Sequence, residues 1–172
     1  MRRCAVNEGF KVPFIGKVVN PPSSKRVPSH HKGTLTQLNG INSVADWISK
    51  RGWNVIFERG GETGVVPALR NVTVNSAMSK RTMLYSILHE AGHISLFSRP
   101  GYIEKYSDGY IRLAEGKNTK SLLHRMDVLA EELAAWDEGE TIARELKIEL
   151  DNQGYKSERN RSLKTYVMWV TD

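Results

Sequence analysis

Residues 86 to 97 read SILHEAGHISLF, which places His89 and His93 four positions apart, with Glu90 directly after the first. In a helix, residues four apart lie on one face, so both imidazoles leave the same side and can share one tetrahedral ion. A catalytic zinc takes three protein ligands and keeps a fourth position for water. Glu90 is turned about 100° from His89 around the helix axis, which lets it reach that water without being a ligand. Zinc lowers the pKa of the water towards about 7. A glutamate so placed takes its proton as the water attacks a carbonyl, then delivers it to the leaving amine. The pattern therefore predicts zinc-dependent hydrolysis of a peptide bond, with His89 and His93 as ligands and Glu90 as general base. The competing reading is a core helix whose two histidines are satisfied by hydrogen bonds.

The helix that carries these residues is expected to start from a cap at Ser79 and run to Ser98, stopped by Arg99, Pro100 and Gly101. Leu84, Leu88, Ala91 and Ile94 make it a buried helix. Gly92 costs a helix interior roughly 1 kcal/mol against alanine, which is tolerable where a second helix packs closely. That second helix is predicted from Thr119 to Leu150, with a break near Gly139. At about 100° per residue, Leu122, Met126, Leu129, Leu133, Trp136 and Ala143 form one apolar stripe. Glu132 lies at its edge, whereas Glu131, His124 and Asp127 are expected to point to solvent. A carboxylate on an apolar face needs a partner, because an unpaired buried charge is costly. Glu132 is thus the first choice for the third ligand. Glu140 is the second, or else an acceptor for a histidine N–H. Arg125 could pair with either carboxylate or polarise a substrate carbonyl. Tyr85, Tyr102, Tyr106 and Tyr110 are candidates to stabilise an oxyanion.

Around this pair the pattern is mixed. A short helix is expected over 42–52, a strand over 53–60 ending in the turn RGGETG, and a half-buried strand over 71–76 with Val72 and Val74 inward. A hairpin closed by SDG is expected within 101–118. A last helix, GYKSERNRSLKTYVMWV, should turn Leu163, Tyr166, Val167 and Val170 inward. Residues 1–40 read as an extended basic arm. Lys11, Lys17, Lys25, Arg26 and Lys32 are interleaved there with prolines and glycines, and His30 and His31 are taken as tail residues. The arm is a candidate contact for nucleic acid or an acidic partner, in a chain of 172 residues with a net charge of +6. Residues 41–172 are expected to form one α+β domain. The single cysteine, Cys4, excludes a disulfide framework and a cysteine-rich zinc cluster. No apolar run is long enough for a secretory signal or a membrane span, so a cytoplasmic, soluble protein is expected.

The stretch VTVNSAMSKRTMLYSILHEAGH (72–93) resembles the approach to the active-site helix in metallopeptidases of the ImmA/IrrE type, through Val74, Asn75, Ser79, Arg81, His89, Glu90, Gly92 and His93. EELAAW (131–136) is similar to the Glu-x-x-Ala segment that carries the third ligand in gluzincins, with Glu132 and Ala135 in the matching places. The resemblance covers about 65 residues. It implies a zincin-like fold, with a small sheet packed on the His-Glu-x-x-His helix and a long second helix, and a zinc cofactor. It also implies a protein or peptide substrate. Such proteins are frequent on phages and mobile elements, so a phage-encoded member is expected in the host cytoplasm or a virion. The same logic implies that NVTVNS is an edge strand that binds substrate by strand addition, with Asn75 and Ser76 near the cleft. The chain departs from the family in the long aromatic segment between His93 and Glu132, and no helix-turn-helix partner domain is evident. The rival reading from another class is a zincin-like binding or structural protein, of phage origin, that docks through its arm. The intact Glu90 argues against it, since a structural site needs no base.

Overall fold

The strand NVTVN sends Val72 and Val74 to one side, where both are fully buried, and Asn71, Thr73 and Asn75 to the other. In the computed structural model, which describes residues 30–105 and 121–171, this strand is the centre of a three-stranded sheet in the order β1-β3-β2. Strand β1 (Asn54–Glu58) runs parallel to β3 (Asn71–Asn75), in register from Asn54 opposite Asn71 to Glu58 opposite Asn75. Strand β2 (Gly64–Val66) runs antiparallel, with Val65 opposite Val72. The strand was not expected there: Gly64 was the last residue of the turn RGGETG, and Val65 and Val66 were assigned to no element. It forms because Val65 packs on the core beside Val72. Arg70, at φ 49°, turns the chain back after a short 3-10 turn over Pro67–Leu69. The sheet also corrects the expectation of an edge strand. Strand β3 is paired along its whole length by β1 and over Asn71–Thr73 by β2, so NVTVN is the central strand of the sheet and not an edge.

Helix α1 (His30–Ser49) begins twelve residues before the start of the short helix expected over 42–52. Gly33 and Gly40 obscure its pattern in the sequence, but Pro28 is the last proline before Pro67 and nothing in between forbids a helix. Gly40 is where α1 meets its neighbours: an added Cβ would stand 3.2 Å from a methyl of Leu84 and 3.3 Å from one of Ile148. Ile41, Val44, Trp47 and Ile48 then line the buried face. Gly52, at φ 79°, ends the segment and leads into β1.

Helix α2 (Lys80–Phe97) starts as predicted, with the Ser79 hydroxyl accepting from the Thr82 amide at 3.2 Å. From Met83 to Ile94 all but Ser86 are buried, so the helix is the axis of the fold. It touches β2 and β3 of the sheet, α1 and both later long helices. A single turn, α3 (Tyr102–Lys105), follows. Its four residues are helical where the first strand of the expected hairpin was placed; SDG itself, Tyr106 and Tyr110 lie outside the described residues, as do residues 1–29 of the expected arm.

Helix α4 (Leu122–Glu145), capped by Ser121, is unbroken at Gly139. The expected break there is replaced by a close helix crossing. A Cβ at Gly92 of α2 would lie 2.0 Å from the Ala135 carbonyl oxygen, and one at Gly139 of α4 would lie 2.7 Å from the Leu88 carbonyl oxygen. The chain turns instead at Leu146 and Lys147, the latter at φ 55°. Helix α5 (Asn152–Thr171) is anchored by Tyr155, whose hydroxyl donates to the Trp136 carbonyl at 2.9 Å. Of the residues expected to face inward, Leu163 packs against the core and Tyr166 and Val170 are half-buried, but Val167 is 48% exposed. The helix holds α4 through its first turns, and its later turns gain little from burial. No described helix is long and apolar enough to cross a membrane.

Candidate metal centre

The α2–α4 crossing decides which face of α4 meets the histidines. The buried residues are His124, Val128, Glu131, Glu132, Ala135, Trp136, Gly139, Ile142 and Ala143. Leu122, Met126 and Leu133, placed in the apolar stripe on sequence, are 59%, 48% and 44% exposed. The helix is rotated from the expected register, because contact this close selects small residues rather than large apolar ones. Two expectations fall with it: Glu131 and His124, read as solvent-facing, are both fully buried. Asp127 is half-buried.

Glu132 is brought to the histidines. Its Oε2 lies 3.2 Å from His89 Nε2 and its Oε1 3.5 Å from His93 Nε2. The three residues offer ligand atoms within 4.8 Å of one another, all buried, and could hold a metal ion. Ligands about 2.0–2.2 Å from a tetrahedral ion stand roughly 3.3–3.6 Å apart, and the two histidine–Glu132 separations are close to that, each to a different carboxylate oxygen. The rings are held from the side. His89 stacks on Trp136 with centroids 4.5 Å apart, and His93 on Phe97 at 6.0 Å. Phe97 stacks in turn on Trp53.

The electrostatics are those of buried groups in contact. Burial drives the Glu132 carboxyl up, but the hydrogen bonds from His89 and His93 outweigh it and hold its pKa well below the ordinary carboxylate value. Burial drives His93 down, but Glu131 and Glu132 together lift it well above the ordinary imidazole value. Glu90 is also buried, and desolvation raises its pKa despite the opposing pull of His89 and His93.

Other expected site residues lie elsewhere. Glu140 is half-buried and outside the ligand group; its charge acts instead on the Tyr155 hydroxyl. Arg125 donates from Nη1 to the Trp169 carbonyl at 2.7 Å, at the end of α5. Tyr85 points its hydroxyl at the Asp151 carbonyl, 3.4 Å away, and meets Tyr155 edge-on. The Asn75 side chain accepts from the Gly60 and Ala77 amides, so it shapes the turn after β3. Tyr102 does reach the centre, but its hydroxyl donates to Glu131 Oε1 at 2.7 Å.

Glu131 was missed as a site residue. A usable signal was present: Ala135 and Gly139, four apart, mark the close-contact face, and Glu131 is four residues before Ala135 on that same face. The chain matches no family model, no curated protein and no solved structure.

Proposed function

We propose that the chain is a zinc-dependent peptide-bond hydrolase with a zincin-like arrangement, as its resemblance to ImmA/IrrE-type metallopeptidases implies. The observation that carries this is the Glu132 carboxylate, delivered by a second helix to the Nε2 atoms of both histidines at 3.2 and 3.5 Å. The group has three members among the described residues, which favours a catalytic zinc over a closed four-ligand structural one. Glu131 and Glu132, two buried carboxylates on either side of one imidazole, also leave negative charge that a divalent cation would balance. Zinc bound there would supply Lewis acidity and an acidified water. Glu90, whose pKa burial raises above the ordinary carboxylate value, is suited to take a proton at its carboxylate and return it to a leaving amine. His89, His93 and Glu132 hold the ion, and the aromatic walls keep the imidazoles from turning away.

The test is metal content. The purified protein should carry about one zinc per chain, and His89→Ala, His93→Ala or Glu132→Ala should each lose most of it. Wild-type protein that stays metal-free when zinc is added after chelator removal would end this reading.

The pH dependence follows from two shifts of opposite sign. His93, raised in the fold, stabilises the metal-free protein fully below the ordinary imidazole value, and that contribution is lost as pH rises through the raised value. Glu132, depressed in the fold, contributes above the ordinary carboxylate value, and its contribution is lost as pH falls through the depressed one. Zinc requires His93 unprotonated, so it competes with the proton. The rise in Tm on adding zinc should therefore grow with pH across about pH 6 to 9. Thermal melts with zinc and with chelator measure it, and a constant difference over that range would contradict the pairing of His93 with the carboxylates.

A further inference from the structure

We infer that Glu131 is a positioning residue, which, pinned by the Tyr102 hydroxyl, holds the His93 imidazole so that its Nε2 faces the ion site. The inference rests on the metal reading above and adds to it how one ligand is aimed. His93 lies between consecutive carboxylates of α4. Its Nε2 faces Glu132 at 3.5 Å, and its Nδ1 lies 3.5 Å from Glu131 Oε1. The same Oε1 accepts the Tyr102 hydroxyl at 2.7 Å. A carboxylate at Nδ1 keeps the proton on that nitrogen and leaves the Nε2 lone pair for a metal.

The two histidines are held differently. His89 lies against the Trp136 ring, and its buried Nδ1 has no hydrogen-bond partner among the described residues. His93 has the more distant Phe97 ring and the Glu131 carboxylate. Gly101, at φ 78°, turns the chain back after α2. Tyr102 then packs edge-on against Phe97 and reaches α4. The end of α2, the turn and α4 are thereby tied together at one carboxylate oxygen.

Stability alone does not account for this residue. Glu131 is fully buried next to a second buried carboxylate, and an apolar side chain of similar size would avoid that repulsion and desolvation. The placement makes sense where a cation is shared and one of its ligands needs orienting.

The experiment uses the full chain, with zinc affinity measured by competition against a chromophoric chelator and geometry by the visible spectrum of the cobalt(II) form. Glu131→Gln should weaken zinc binding by about 10- to 100-fold and shift the cobalt bands, with Tyr102→Phe shifting both in the same direction by less. Tyr102→Phe removes only a hydroxyl from a half-buried ring, so it keeps the fold and decides the matter if Glu131→Gln does not fold. Wild-type affinity and cobalt spectrum in the folded variants, or a fall in Tm with both unchanged, overturn the inference. His89→Ala separates the two failures. If it loses zinc while the Glu131 and Tyr102 variants bind normally, the metal reading stands and the positioning role falls. If the wild type itself takes up neither zinc nor cobalt, both fall together.

Discussion

Replacing Gly92 with alanine should cost the protein both its fold and its metal site. A Cβ at this position would stand 2.0 Å from the Ala135 carbonyl oxygen and 2.8 Å from the carbonyl carbon. Those are backbone atoms in the middle of a helix, so no rotamer change relieves the overlap. The helices must separate by more than an ångström, and the layer around Trp136, His89 and Tyr155 loses its packing. Two effects oppose each other. Alanine gains roughly 1 kcal/mol of helix propensity over glycine. Overpacking against rigid backbone costs on the order of 3 kcal/mol or more, and it prevails. Glu131 and Glu132 sit one turn before Ala135 on the same helix, so the separation also withdraws both carboxylates from the histidines. Denaturant unfolding and zinc titration should show a protein that is unfolded, or folded with greatly reduced zinc affinity. A stable Gly92→Ala protein that binds zinc like wild type would mean that α2 and α4 do not approach this closely.

That crossing also explains which parts of the site were legible in the sequence. His89, Glu90 and His93 could be read directly, because a spacing of four on one helix is local information. The Ser79 cap and the alternation of Val72 and Val74 are local too, and both appear in the structure. The register of α4 is not local. Its large apolar residues are spread around the helix, with Leu122, Met126 and Leu133 left exposed, so their stripe does not mark the contact face. The face is set by where Gly92 and Gly139 let backbones approach, and small residues carry little weight in an apolar pattern. Glu132 lies at the edge of the expected stripe and inside the observed buried face, so it was found under either. Glu131 lies on opposite sides in the two and was missed. Strand β2 was hidden for a related reason: three residues make no periodicity, and only pairing with β3 gives them a structure. The early start of α1 escaped because Gly40 serves the contact with Leu84 and Ile148, not the helix itself.

Changing Glu90 to glutamine should leave the metal in place and remove the chemistry. The replacement is nearly isosteric and keeps a polar carbonyl, but it cannot accept and return a proton. Loss of a positioned general base typically lowers rate about 10²–10⁴-fold, so hydrolysis of an unstructured peptide library should fall by at least that range's lower bound. Zinc content should be unchanged, because Glu90 is outside the ligand group formed by His89, His93 and Glu132. Stability should move the other way from activity. Burial raises the Glu90 pKa, so the charged carboxylate is a liability in the fold: its favourable contribution is complete below the ordinary carboxylate value and is lost as pH rises through the raised one. Glutamine has no such loss, and the chelated variant should melt at the same temperature as wild type or higher near neutral pH. A residue kept at a cost to stability and needed for turnover is the pattern expected of a catalytic base. Peptide cleavage, zinc content and melting temperature, measured on both proteins side by side, separate the alternatives. Equal cleavage by both proteins would remove Glu90 from the mechanism. Joint loss of zinc and activity would make it a structural part of the centre instead.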